Sequence, residues 1–149
     1  MNGETKIPGD DWTPVAFEAP DGAVPFRALL VGLPDAKAAA LLSAVELLLS
    51  VHGIELVRTE WLKPLGKGLH ELRVRHDALR IERMFGGGRT PAPSPARGLR
   101  LRLFVHFYGD RRVLLLNGYD KGADGSERRQ RREIARARSL LAQFRVQGS

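Results

Sequence analysis

Two segments with a period of two, and a third strand-like segment after a turn, constrain this chain more than any other feature. Residues 69–76 read Leu-His-Glu-Leu-Arg-Val-Arg-His, residues 101–108 read Leu-Arg-Leu-Phe-Val-His-Phe-Tyr, and residues 112–119 read Arg-Val-Leu-Leu-Leu-Asn-Gly-Tyr. Side chains of a strand point alternately to opposite faces, so such alternation marks half-buried strands. Gly109-Asp110 supplies hairpin turn chemistry between the second and third segments. Residues 113–116 are continuously apolar, which predicts a central strand covered on both faces. A sheet in meander follows, and the rest of the chain must supply the layers that cover it.

Residues 12–18 alternate loosely through Trp12, Val15 and Phe17, predicting a short early strand, and Asp21-Gly22 marks a turn. Residues 25–33 carry Phe26, Leu29, Leu30 and Leu33 at helical spacing. Pro34-Asp35 opens a second helix that runs to about His52, with Gly53 as its left-handed C-terminal residue. Leu41, Leu42, Val45, Leu47, Leu48 and Leu49 take up most of its circumference, so it is expected to pack on more than one side. Ser126 is the expected N-cap of a last helix that ends near Phe144, with Ile134, Ala137, Leu140, Leu141 and Phe144 on one stripe. Residues 78–85 read as an added ribbon. Residues 86–98, with three consecutive glycines and three prolines, read as a long mobile loop.

The order is strand, helix, helix, three strands, helix. It predicts an α+β fold of two layers: a mostly antiparallel sheet with its helices on one face and the other face left open. One domain is expected over residues 12–149, after a flexible N-terminus at 1–11.

The 149 residues contain no cysteine, which removes disulfides and thiolate metal sites. The polar N-terminus has no signal-peptide pattern. The apolar stretch at 38–51 is broken by Ser43, Glu46 and Ser50 and is too short and polar to span a bilayer, so a cytoplasmic protein is expected, with no membrane association. The formal net charge is +7, and it is unevenly spread: residues 1–57 hold only Lys6, Arg27 and Lys37 of the 24 cations. With eight acids there, that half carries −5, and residues 58–149 carry +12. A one-sided basic surface suits a nucleic-acid partner, and a GC-rich genome would also give a high arginine content.

Alternation also sorts the polar side chains. Leu72 and Val74 face the core, which turns Glu71, Arg73 and Arg75 the other way. Likewise Leu101, Leu103, Val105 and Phe107 oppose Arg102, Phe104, His106 and Tyr108. Arg73, Arg75, Arg102 and His106 should therefore share one face with aromatic rings between them. Cations for phosphates and rings for bases suit RNA, and a solvated face with cross-strand Glu–Arg pairs has the same pattern. Of the four histidines, His52 falls at a helix end and His70 and His76 on the core side or at strand ends, leaving His106 on the functional face. The run Glu127-Arg128-Arg129-Gln130-Arg131-Arg132 puts cations at a helix N-terminus, against the macrodipole. A phosphate-gripping helix end and a solvated basic face are both consistent with that run. No HExxH, GxSxG or P-loop motif is present, and no carboxylate cluster suggests a metal.

Taken in order, Trp12, Gly53, Lys63-Pro64-Leu65, Gly68-Leu69-His70-Glu71-Leu72-Arg73, Arg102, Leu115-Leu116-Asn117-Gly118-Tyr119, Lys121 and Glu133-Ile134-Ala135-Arg136-Ala137-Arg138 form a pattern. It resembles the HigB-like, phage-derived branch of the RelE/ParE toxin superfamily, from about Trp12 to Phe144. Two features depart from that branch. The loop at 86–98 is longer, and Asp120-Lys121 stands where Lys-Lys is common. The resemblance implies a metal-free, cofactor-free endoribonuclease that cuts mRNA at the ribosome and is silenced by a cognate antitoxin protein. It further implies Arg73 and Arg102 on phosphate, Lys121 as base or electrostatic partner, and His106 as proton donor. Lys63, Lys67, Arg75, Tyr108, Arg128, Arg129, Arg131 and Arg132 would contact RNA. The alternatives within the superfamily are a ParE-like inhibitor of DNA gyrase and an inactive phage-derived homologue.

Overall fold

The structure is a computed structural model, and it describes residues 11–85 and 99–147. The expected N-terminal arm, apart from Asp11, and the expected loop at 86–98 lie outside the described residues.

The fold is α+β. Five strands form one mixed sheet: β1 (Thr13–Ala16), β2 (Leu62–Gly66), β3 (Leu69–Val74), β4 (Leu101–Tyr108) and β5 (Arg112–Asp120), in the spatial order β1-β5-β4-β3-β2. Only the β1–β5 pair is parallel, and the others are antiparallel. The hairpin at Gly109-Asp110 forms as expected. β2 was not anticipated: its Lys-Pro-Leu-Gly sequence lacks alternation, and it is held as an edge strand by pairing with β3.

Helices α1 (Pro25–Gly32) and α2 (Asp35–Ala44) follow the expected boundaries. The second continues through a π turn at Val45–Leu49 and a short α3 (Ser50–His52) into a 3-10 turn at Gly53–Arg58. Run together, Asp35–Arg58 is long and apolar enough by length and composition to cross a membrane. Its Leu41, Ala44, Val45, Leu48 and Leu49 are instead buried in the core against the sheet. Gly53 does not take the left-handed helical conformation expected of it. Its φ is +52° and its ψ −130°, and a Cβ there would lie 2.2 Å from the Trp12 indole. Glycine is therefore needed for two reasons, backbone conformation and the approach of Trp12.

Residues 78–85 form a helix, α4 (Ala78–Phe85), where a ribbon was expected. The overlooked signal is Asp77, whose Oδ1 accepts the Arg80 N–H at 2.8 Å as an N-cap. α4 packs on α2.

The last helix, α5 (Glu127–Gln147), starts where expected, with Ser126 Oγ accepting the Arg129 N–H at 3.2 Å. Its layer differs from the expectation. Phe26, Leu41, Leu48, Leu72, Val74, Leu103, Val113 and Leu115 form one core under α1, α2 and α4. Leu69, Phe104, Leu114, Leu116, Tyr119, Ala137, Leu140 and Leu141 form a second core on the opposite sheet face. The helices thus do not all gather on one face: α5 covers part of the face expected to be open. β5 requires this, because Val113 and Leu115 bury on one side while Leu114 and Leu116 bury on the other.

A bulge sets which residues of β5 join that second face. Leu103 lies opposite Gly118 and Val105 opposite Leu115, so β5 carries one residue more than β4 between them. Below the bulge Leu114 and Leu116 face α5, and above it Tyr119 does. Gly118 lets the strands close up: a Cβ there would meet the Arg102 carbonyl oxygen at 2.3 Å and Leu29 at 2.8 Å.

Candidate functional site

Beside the N-terminal end of α5, the strand register fills one end of the second sheet face with cations. Arg73, Arg102 and Tyr119 are cross-strand partners on β3, β4 and β5. Two residues further on, roughly 6.6 Å along each strand, register aligns Arg75, Arg100 and Lys121. The ladder continues there through the Lys121 N–H, which donates to the Arg100 carbonyl at 2.7 Å. Alternation places both rows on one face. The shifted parity of the bulge is what brings Tyr119 and Lys121 to the arginines.

Glu71 is the carboxylate under this grid. It is 1% exposed, and its Oε1 accepts the Arg73 Nε–H at 3.0 Å and lies 3.9 Å from Arg102 Nε. Arg102 is itself 2% exposed, and its Nη1 donates to the Leu101 carbonyl at 3.2 Å. Burial pushes the Arg102 guanidinium below its ordinary pKa, and Arg73 and Arg75 push the same way while Glu71 opposes them. Burial likewise lowers the Lys121 ammonium, helped by Arg102, Arg100 and Arg73 and opposed by Glu71. Tyr119 is pushed upward by burial. Its hydroxyl and Glu71 Oε2 are buried without a hydrogen-bond partner among the described residues. Such atoms are rare in folded proteins, and two more, His70 Nδ1 and Asn117 Oδ1, lie outside the grid.

Arg73, Arg102, Lys121 and Arg75, four of the residues expected at the site, are therefore brought together. His106 is not among them. It lies four residues down β4 from Arg102, roughly 13 Å away along the strand. There its Nδ1 is 2.8 Å from the Gly68 carbonyl oxygen, and its ring stacks on Tyr108 and meets Phe144 edge-on. Tyr108 and the turn residue Lys67 share that far end, where Arg145 of α5 donates to the Lys67 carbonyl at 2.9 Å. A proton donor for the arginine cluster cannot come from this group.

Lys63 lies on exposed β2, opposite Glu71 in the β2–β3 register. Arg128, Arg131 and Arg132 are exposed on α5. Arg131 also pairs with Glu127 at 3.8 Å. Arg129 has a packing role: its guanidinium lies over the Tyr119 ring at 5.1 Å and its Nε donates to Glu133 at 2.8 Å. Glu133 in turn accepts from Asn117 Nδ2 at 3.0 Å, tying α5 to the bulge. Sequence reasoning missed Arg100, Glu71 and Tyr119 as site members. Arg100 was legible, since it continues the alternation of Arg102 by two residues.

Compared with models of protein families and with curated proteins, the sequence matches none.

Proposed function

We propose that this protein is a toxin of a toxin–antitoxin pair, an endoribonuclease that cuts mRNA on the ribosome and is held inactive by a cognate antitoxin. It would work in the cytoplasm and need neither metal nor cofactor. The observation that carries this proposal is the two-row grid of Arg73, Arg102, Arg75, Arg100 and Lys121 around a single buried carboxylate. Guanidiniums bind non-bridging phosphate oxygens in a forked geometry and stabilise the added charge of a phosphorane-like transition state.

In the proposed reaction the ribose 2′-oxygen attacks the neighbouring phosphorus as Lys121 takes its proton. The P–O5′ bond breaks, and the departing 5′-oxygen takes a proton from solvent, leaving a 2′,3′-cyclic phosphate. A lysine desolvated among cations is a stronger candidate base than an ordinary surface lysine, because its neutral form is favoured. Arg73 would hold the phosphate, with Arg75 and Arg100 on its neighbours, and the buried Arg102 would add its charge from beneath them.

The test is the purified protein in a translating ribosome system, read by primer extension on the mRNA. New 5′ ends that appear with the wild-type protein and vanish with Arg73→Ala are expected. Inhibition of translation without new ends would overturn the nuclease.

A further inference from the structure

Beside the grid is a cavity of about 250 Å³ lined by Glu60, Trp61, Arg73, Arg75 and His76. We propose that it receives one unpaired RNA base next to the cleaved phosphate, stacked on Trp61 and read at its edge by Glu60. This rests on the ribonuclease proposal and adds the specificity-determining site to it.

Two of the five lining residues, Arg73 and Arg75, belong to the cation grid, so a nucleotide whose phosphate is gripped there has its base beside the cavity. The volume is below the ~300–1,000 Å³ of drug-sized sites and suits one planar ring system. The Trp61 indole is braced by neighbouring rings: Phe85 meets it edge-on at 5.7 Å, and His76 lies at 5.5 Å. A braced ring loses little freedom on stacking, and single-stranded RNA is bound through such rings. Burial lowers the His76 pKa, with Arg80 pushing the same way, which favours the uncharged imidazole beside the indole.

Glu60 supplies the selectivity. Its carboxylate oxygens accept hydrogen bonds, and it lies 4.0 Å from Arg75 at the cavity wall. A carboxylate accepts from bases that present amino hydrogens. Guanine offers it two adjacent N–H groups on its Watson–Crick edge, while Arg75 can donate to the guanine carbonyl. Uracil has no amino group and presents carbonyl oxygens that the carboxylate repels. The expected order is guanine first, adenine and cytosine next, uracil last.

The probe is a set of short single-stranded oligoribonucleotides that differ at one base, added to a Trp12→Phe variant in which Trp61 is the remaining tryptophan. Binding of the guanine oligonucleotide should quench Trp61 fluorescence, and inorganic phosphate should not. Trp61→Leu should weaken binding by about 5- to 150-fold, the span of one lost base stack, while Trp61→Phe keeps most of it. Glu60→Gln should erase the guanine preference over uracil. Circular dichroism and thermal melting verify that each variant is folded. Equal binding of guanine and uracil oligonucleotides, or folded Trp61→Leu with unchanged affinity and cleavage sites, overturns the pocket while the nuclease stands. No binding by any oligonucleotide, together with no cleavage in the translating system, overturns both.

Discussion

Glu71→Gln probes the charge balance of the site most directly. The wild-type carboxylate is buried, in hydrogen-bond contact with Arg73 at 3.0 Å and within 3.9 Å of the equally buried Arg102. Gln keeps the shape and one acceptor but removes the only negative charge between two guanidiniums. Removing one partner of a buried ion pair costs about 3–5 kcal/mol, because the other charge is left uncompensated. Two features reduce this. The Arg73 side chain is 24% exposed and can hydrate, and the Arg102 contact is longer than a hydrogen bond. We expect a loss of about 2–4 kcal/mol, or roughly 5–15 °C in Tm for a domain of this size. Arg102→Met behaves differently. It deletes a buried cation that gains little from its distant partner and leaves Glu71 paired with Arg73, so stability should stay within about 1 kcal/mol of wild type. The double variant should be more stable than the two single losses added together, by about 1–3 kcal/mol. Urea denaturation of the four proteins measures all of this. Arg102→Met as damaging as Glu71→Gln, with an additive double variant, would refute an under-compensated cation cluster and mark Arg102 as an ordinary structural residue.

Lys121 has its pKa held below 10.5 by desolvation and by Arg102, Arg100 and Arg73. Between the depressed folded value and 10.5 the unfolded chain binds more protons, so stability should rise with pH across that window. Lys121→Met should lose the rise in denaturation measured against pH. With Lys121 as base, cleavage should climb with pH to a midpoint below 10.5, and Lys121→Arg should abolish it at every pH in single-turnover assays. Gly53→Ala combines a positive φ with a Cβ 2.2 Å from the Trp12 ring. It should cost more than about 2 kcal/mol, and a melting temperature near wild type would contradict the close approach. Three phosphate contacts, by Arg73, Arg75 and Arg100, would give a log–log salt slope of about −2 and a roughly 20-fold loss of RNA affinity between about 50 and 200 mM salt. A flat titration would exclude a phosphate-dominated interface.

The sequence alone determined what is local. A period of two sorted Glu71, Arg73, Arg75 and Arg102 from Leu72, Val74, Leu101 and Leu103, because a strand's side chains alternate whatever covers them. The apolar run at 113–116 announced cover on both faces of β5, and the cap at Ser126 and the apolar stripe beyond it announced α5. Tertiary structure decided the rest. An apolar stripe states that a helix has a buried side but not which sheet face receives it, and α5 went to the face with the arginines because Leu114 and Leu116 had to be covered there. The extra residue between Leu115 and Gly118 inverted the alternation and delivered Tyr119 and Lys121 to that same face. The order of residues does not announce it, since a bulge is set by pairing with β4. His106 has the same parity as Arg102 but lies at the opposite end of the strand, against Tyr108 and Phe144. Periodicity assigns a side chain to a face, while its position along that face depends on which remote segments cover it, and that is a matter of burial between residues far apart in the chain.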